Sequence, residues 1–235
     1  FMTKHLITIH PLPTLTGHYY RVNNKIYPSV TTILTSYPQS AHLTQWIAET
    51  GWHESQKIKS EAGEKGTAVH KAIGTLLGGN KIYKEHYGLE EWWKLNVFKN
   101  WYEEEQPKVI ALEKFVFSKK YKYAGTVDLI YKNKLNELLL IDFKTSKSIY
   151  DHFCLQVSAY AKAYEEMYPK QKIFQTGILQ LGAKNAEGYR FIKYDALEWL
   201  KEHFPAFLSV KETYEYQYGK DYTPPIYELP EELKL

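Results

Sequence analysis

The stretch Glu137-Leu138-Leu139-Leu140-Ile141-Asp142-Phe143-Lys144 decides the fold of this chain. Four aliphatic residues in a row, preceded by the polar Lys132-Asn133-Lys134, read as a buried strand. Downstream, Phe153, Val157, Tyr160, Tyr164 and Met167 follow helical spacing and stop before Pro169. Ile173 to Leu181 returns to strand, and Tyr189 to Tyr194 gives a fifth. A helix from about Tyr150 to Tyr168 is long enough to carry the chain across to a parallel neighbour. Upstream, Val109 to Ser118 and Tyr123 to Tyr131 have a period of two. Lys119-Lys120-Tyr121-Lys122 and Lys132-Asn133-Lys134 separate the first three strands at hairpin length. The expectation is an α/β fold: a three-stranded antiparallel meander, a crossover helix and further strands, with a helical part ahead of it.

That helical part runs from Ala41 to about Gly79, with Val69, Ile73, Leu76 and Leu77 at helical spacing and Gly78-Gly79 as the stop. Leu89 to Glu105 is a second helical stretch, with Trp92, Leu95, Val97, Phe98 and Trp101 as apolar members. Earlier still, His18 to Lys25 suits a hairpin turning at Asn23-Asn24, and the β-branched Ser29 to Leu34 reads as extended. Ala196 to about Tyr216 is helical, and the last twenty residues, with Pro224, Pro225 and Pro230, are expected to drape over the surface. We expect one domain over 1–235: helical part about 40–105, core about 107–195, C-terminal helix and tail 196–235.

Composition narrows the class. Of 235 residues, 44% are hydrophobic and 24% charged, with a net charge of +3, which is globular rather than disordered. The longest aliphatic run, Leu138 to Ile141, is far too short to span a membrane. The single cysteine, Cys154, excludes an internal disulfide and a cysteine-ligated zinc or iron–sulfur cluster. Phe1 ahead of Met2 reads as a cloning remnant, and the start of the chain does not read as a targeting segment. A cytoplasmic setting, in a bacterial cell or a phage-infected host, is the expectation. The 21 tyrosines can stack on bases or sugars, or simply pack with the hydroxyl at the rim.

The chemistry lies at the end of the decisive strand. Asp142 and Lys144 are two residues apart, hence on one face. If the strand pairs with its predecessor through the Lys132–Asn136 turn, facing residues have numbers summing to about 270, which sets Asp128 opposite Asp142. Thr126, Asp128 and Ile130 would then share one face of that strand, and Val127, Leu129 and Tyr131 the other. Two adjacent carboxylates repel unless one is protonated or a cation lies between them, and a hard divalent metal is the natural resolution. Lys144 beside them could position a water or stabilise charge on a phosphate. His70, one step off the apolar line through Val69 and Ile73, is either a boundary histidine or an imidazole ligand favouring manganese. Glu113 could add a carboxylate or pair with a lysine. Gln156 and Tyr160, four apart, share a helix face and either pack there or flank the lysine.

Gly66-Thr67 with His70, Gly125-Thr126-Val127-Asp128, Ile141-Asp142-Phe143-Lys144-Thr145-Ser146, and Gln156 with Tyr160 occur in that order. Together they resemble the PD-(D/E)XK nucleases of the RecB-like exonuclease branch. Tyr27-Pro28-Ser29-Val30-Thr31-Thr32-Ile33-Leu34 is similar to the N-terminal segment of phage and bacterial members and of the mitochondrial genome maintenance exonuclease. The resemblance covers about 27–182. It implies a restriction-endonuclease-like core. It further implies His70, Asp128, Asp142 and the Phe143 carbonyl as ligands of one or two Mg²⁺ or Mn²⁺ ions. Lys144 would be the catalytic lysine, Gln156 and Tyr160 the helix motif, and Glu113 an often-acidic position. Val127 stands where the motif has proline, and Asp142 where it often has glutamate; both are usual variants. The four-cysteine iron–sulfur cluster of some relatives cannot form. No P-loop pattern occurs, so a motor would be another chain, a helicase or recombination partner.

The implied reaction is metal-dependent hydrolysis of DNA, at single-stranded or free ends, with no membrane involved. Trp46, Trp52, Trp92, Trp93 and Trp101 could wall the site, and Lys119, Lys120, Lys122 and Tyr123 are candidate nucleic-acid contacts, or a solvated turn. The alternatives are an endonuclease on the same core and a non-catalytic nucleic-acid-binding protein. A carbohydrate-binding module explains the aromatics but not the acid–lysine cluster.

Overall fold

The computed structural model describes residues 9–12 and 17–226. Expectations for the first residues and for the tail around Pro230 lie outside them. The chain opens with a small antiparallel sheet of β1 (Ile9–Pro11), β2 (Tyr19–Val22) and β3 (Lys25–Pro28). The β2–β3 hairpin turns at Asn23-Asn24, with Asn23 left-handed at φ 54°.

Ser29 to Leu34 is not extended, as its β-branched content suggested; Val30–Ile33 form a short helix, α1. The Ser29 hydroxyl accepts from the Thr32 N–H as an N-cap, and the Thr32 hydroxyl donates to the His18 carbonyl. Capping and burial of Val30 and Ile33 override the strand propensity. Two helices follow, α2 (Ala41–Thr50) and α3 (Trp52–Leu77), separated at Gly51, whose φ of 86° suits glycine. Then comes α4 (Leu89–Glu105).

The main sheet is formed by β4 (Lys108–Ser118), β5 (Tyr123–Lys132), β6 (Leu138–Lys144), β7 (Gln175–Leu181) and β8 (Tyr189–Asp195), in that spatial order. β4, β5 and β6 form the antiparallel meander, and the crossover helix α5 (His152–Met167) makes β7 parallel to β6. β8 returns antiparallel. The chain closes with α6 (Ala196–Glu198), a π-helical segment Trp199–His203 and α7 (Phe204–Tyr218). The fold is therefore α/β, as expected. No helix among the described residues is long and apolar enough to cross a membrane.

Helices cover both faces of the sheet, which explains the unbroken apolar run of β6. Leu140 joins Ile130, Val157, Ala161 and Phe207 beneath α5 and α7. Leu139 and Ile141 join Ile73, Leu95, Phe98 and Trp101 beneath α3 and α4. All three β6 residues have no exposed surface.

The expected alternation along β5 holds only in part. Val127 and Ile130 both pack on the α5 side, while Leu129 and Tyr131 pack on the α3–α4 side. Ile130 therefore does not continue the face of Thr126 and Asp128. The switch falls opposite Glu113, between the pairs Leu112↔Leu129 and Lys114↔Val127. Glu113 is left-handed at φ 42°, a conformation that costs a non-glycine residue about 1 kcal/mol and gathers at functional sites.

Candidate active site

β5 and β6 pair from Lys132↔Leu138 to Leu129↔Ile141 and then part, because β5 continues with β4 and β6 with β7. Residue numbers in this ladder sum to 270, so Asp128 and Asp142 are the first positions past its end. At the fork a backbone donor loses its strand partner. The Asp128 side chain replaces it: the Phe143 N–H donates to Asp128 Oδ2 at 2.7 Å. In an extended strand a residue's N–H and C=O face the same edge, so the Phe143 carbonyl turns to the Asp128 side as well.

Asp142 is buried, 3% exposed, at the top of the α5 side. Gln156 Nε2 donates to its Oδ1 at 2.9 Å, and Gln156 Oε1 accepts from Lys144 Nζ at 2.9 Å. One amide thus bridges acid and lysine, and the two partners fix which way it points. The same amide nitrogen lies 3.1 Å from the Tyr160 hydroxyl. Lys144 Nζ lies 2.6 Å from Asp142 Oδ2 and 4.5 Å from the centre of the Phe153 ring. Oδ2 is buried, and the Lys144 ammonium is its close partner. Burial pushes the Asp142 carboxyl up; Lys144 opposes this, the charge of Asp128 adds to it, and the result is about 6. Burial also holds the Tyr160 hydroxyl well above the usual phenol range, so it stays protonated.

His70 faces Asp128 from α3, with Nδ1 3.5 Å from Oδ2, and meets the Phe143 ring edge-on. Burial alone would lower its pKa, but the contact with Asp128 and the nearby Asp142 outweigh it, and the imidazole is raised. His70, Gly74, Glu113, Asp128 and Phe143 line a small cleft between α3 and the sheet. The structure therefore brings together every acid, amide and imidazole singled out in the sequence. Among the described residues, no three His, Cys, Asp or Glu side chains converge as a formed metal site.

Two expectations change, and the turn lysines are placed. Tyr123 cannot stack on a nucleic acid: it has no exposed surface, packs on Phe207 and donates to the Ala159 carbonyl at 2.8 Å. Trp101 is core, 1% exposed, whereas Trp52 and Trp93 do face solvent. Lys120 lies over the ring of Tyr121, 4.9 Å from its centre, while Lys119 and Lys122 line a different cleft.

No family model matches this sequence, and no curated protein matches it. Among solved structures, the chain is similar to a "Putative exonuclease" from Eubacterium rectale, at 12% identity and a TM-score of 0.40, covering 71% of this chain and 72% of that one. It is also similar to SSO0001, at 13% identity and a TM-score of 0.35, covering 80% and 84%. At that distance the reading of the site rests on its own geometry.

The sequence reading overlooked two supports. The buried Lys94 donates to the Thr145 carbonyl at 3.1 Å while paired with Glu90 at 2.8 Å, tying α4 to the loop after Lys144. Gly125 lets Tyr160 lie against β5: a Cβ there would fall 2.4 Å from the Tyr160 ring. The expected result for Gly125→Ala is a loss of about 1–3 kcal/mol in denaturant unfolding, because the buried ring has to move. Tyr160→Ala in the same chain should recover part of it, and strictly additive losses would contradict the contact.

A further prediction concerns pH without metal. Asp142 binds a proton more tightly in the fold, at about 6, than in the unfolded chain, near 3.8. Its contribution to stability is full below 3.8 and is lost as pH rises through about 6. The neutral amide of an Asp142→Asn variant has no such proton to lose. The melting temperature of that variant minus that of the wild type, in chelator, should therefore grow between pH 4 and pH 8; a constant difference would contradict the shift.

Proposed function

We propose that this chain is a divalent-metal-dependent deoxyribonuclease that hydrolyses phosphodiester bonds from free ends of single-stranded DNA. The observation carrying the reading is the buried Asp142–Gln156–Lys144 bridge, with Asp128 and His70 beside it at the strand fork. Asp142 Oδ2 is served by the Lys144 ammonium at 2.6 Å, while the neighbouring Asp128 adds a second negative charge that a divalent cation would offset. The donor set suits Mg²⁺ or Mn²⁺: two carboxylates, a strand-end carbonyl and one imidazole.

Asp128, Asp142 and His70, with the Phe143 carbonyl and Glu113 close by, would hold the ion or ions. Bound there, a divalent ion supplies Lewis acidity and lowers the pKa of a water. The chain's own groups do the rest. Lys144, 19% exposed at its side chain, can hold a water from solvent or stabilise negative charge on a phosphate oxygen. Gln156 keeps Lys144 and Asp142 in register, and Tyr160 in turn braces Gln156. The phenol stays neutral and adds no charge to the carboxylates. α2 buries no side chain, and the first half of α3 buries only Ser55, which leaves Trp52 exposed at the start of the helix that carries His70 about 27 Å further on. That gives a stacking surface for an unpaired strand.

The test offers free-ended and circular single-stranded and double-stranded DNA with Mg²⁺ or Mn²⁺. Loss of free-ended single strands with circles intact is the expected result. Cutting of circles would establish an endonuclease, and no cleavage of any substrate by the folded protein would overturn the proposal.

A further inference from the structure

A cleft of about 310 Å³ lies away from the carboxylates, where β3, the β4–β5 turn and the end of α7 meet. It is in the size range of ligand sites. Lys25, Lys119, Lys122, Lys211 and Lys220 line it, opposed by Glu215 and Asp221 alone among acids. Glu215 is engaged by Lys211, and Asp221 by Lys122 at 3.1 Å. That leaves Lys25, Lys119 and Lys220 exposed, with no acidic partner among the described residues. Three uncompensated charges in one concavity equal the formal net charge of the whole chain, +3.

The wall between the lysines is aromatic: Tyr27, Tyr214 and Tyr222. Tyr214 is fixed by a 2.7 Å hydrogen bond to the Tyr19 hydroxyl, and Tyr222 packs against Tyr19. Unpaired lysines around one concavity match a ligand that carries several phosphates, and the half-buried Tyr222 adds a ring at its edge. Lys122 and Asp128 bracket one stretch of β5 and are about 20 Å apart at strand rise.

We infer that this cleft is a second anchoring site for single-stranded DNA, holding the sugar–phosphate backbone of the strand whose end is cut at Asp142. The inference rests on the proposed function for the identity of that strand. Lys25, Lys119 and Lys220 hold phosphates; Tyr27 and Tyr214 are buried and shape the floor, and only the half-buried Tyr222 has ring surface to offer a base.

The test measures binding of a fluorescent single-stranded oligonucleotide in chelator, where nothing is cut, across a salt series. It compares the wild type with a Lys25→Ala, Lys119→Ala, Lys220→Ala triple variant and with the same positions changed to Arg. Exposed lysines tolerate such changes, so melting temperatures should match. The alanine variant is expected to bind at least about tenfold more weakly, and the slope of log affinity against log salt should fall by about 2, three phosphates' worth for a single strand. The arginine variant should retain both values. Wild-type affinity and slope in the alanine variant would overturn the inference, as would no DNA binding by the wild type. The two claims separate cleanly: cleavage that is indifferent to the lysines removes only the anchoring site. Lysine-dependent binding without cleavage in any metal removes only the nuclease.

Discussion

Lys144→Ala is expected to lower DNA cleavage by at least about a thousandfold while leaving the protein folded. The lysine serves two purposes. Its ammonium lies 2.6 Å from Asp142 Oδ2 and bonds Gln156 Oε1, so it compensates a buried carboxylate and anchors the bridging amide. Without it, Asp142 stays buried near Asp128 with no adjacent cation, and its pKa rises further. On the proposed function, the side chain would then take up a proton at neutral pH and no longer serve as a metal ligand, and the charge offered to the phosphate would be gone as well. Lys144→Arg should not restore activity, because a planar fork cannot place one nitrogen on both Asp142 and Gln156 over the Phe153 ring. Far-ultraviolet circular dichroism checks the fold, and initial rates on a labelled single strand check the activity. Wild-type rates in the alanine variant would remove Lys144 from the site.

The second large effect is on stability. Trp101 is 1% exposed and meets Tyr131 and Phe191 nearly edge-on, at 6.1 and 5.7 Å between ring centres. It joins α4 to the sheet across β5 and β8. Trp101→Ala should cost about 3–5 kcal/mol from lost burial and the cavity left behind. For a chain of this size that lowers the melting temperature by roughly 6–20 °C. The indole N–H has no partner among the described residues, so Trp101→Phe should cost far less than alanine. A chemical-denaturation series on the three proteins decides it. An alanine variant within about 1 kcal/mol of wild type would mean that α4 does not pack as described.

Much of this was legible in the sequence because it lies in local pattern. Leu138 to Ile141 announced a buried strand, and its register with β5 followed from the intervening turn. Gln156 and Tyr160 were placed on one helix face by spacing alone, and they are indeed hydrogen-bonded there. What escaped depends on tertiary packing. Ser29 to Leu34 has strand propensity, but a serine cap and the His18 carbonyl make it a helix. Tyr123, in a lysine-rich hairpin, turns inward because its ring has Phe207 to pack on, and α7 is distant in sequence. Glu113 was recognisable as an acid but not as a left-handed kink that switches the faces of β4 and β5. The lysine cleft draws on three segments far apart in the chain, so no single stretch could reveal it.

The most direct measurement is the rate at which the wild type and Asp142→Asn degrade a 5′-labelled single-stranded oligonucleotide with Mg²⁺, with Mn²⁺ and with chelator. The account predicts degradation by the wild type in metal alone, and none by Asp142→Asn in any condition, with both proteins folded. Degradation by Asp142→Asn at the wild-type rate, or a wild-type activity indifferent to chelator, would contradict it.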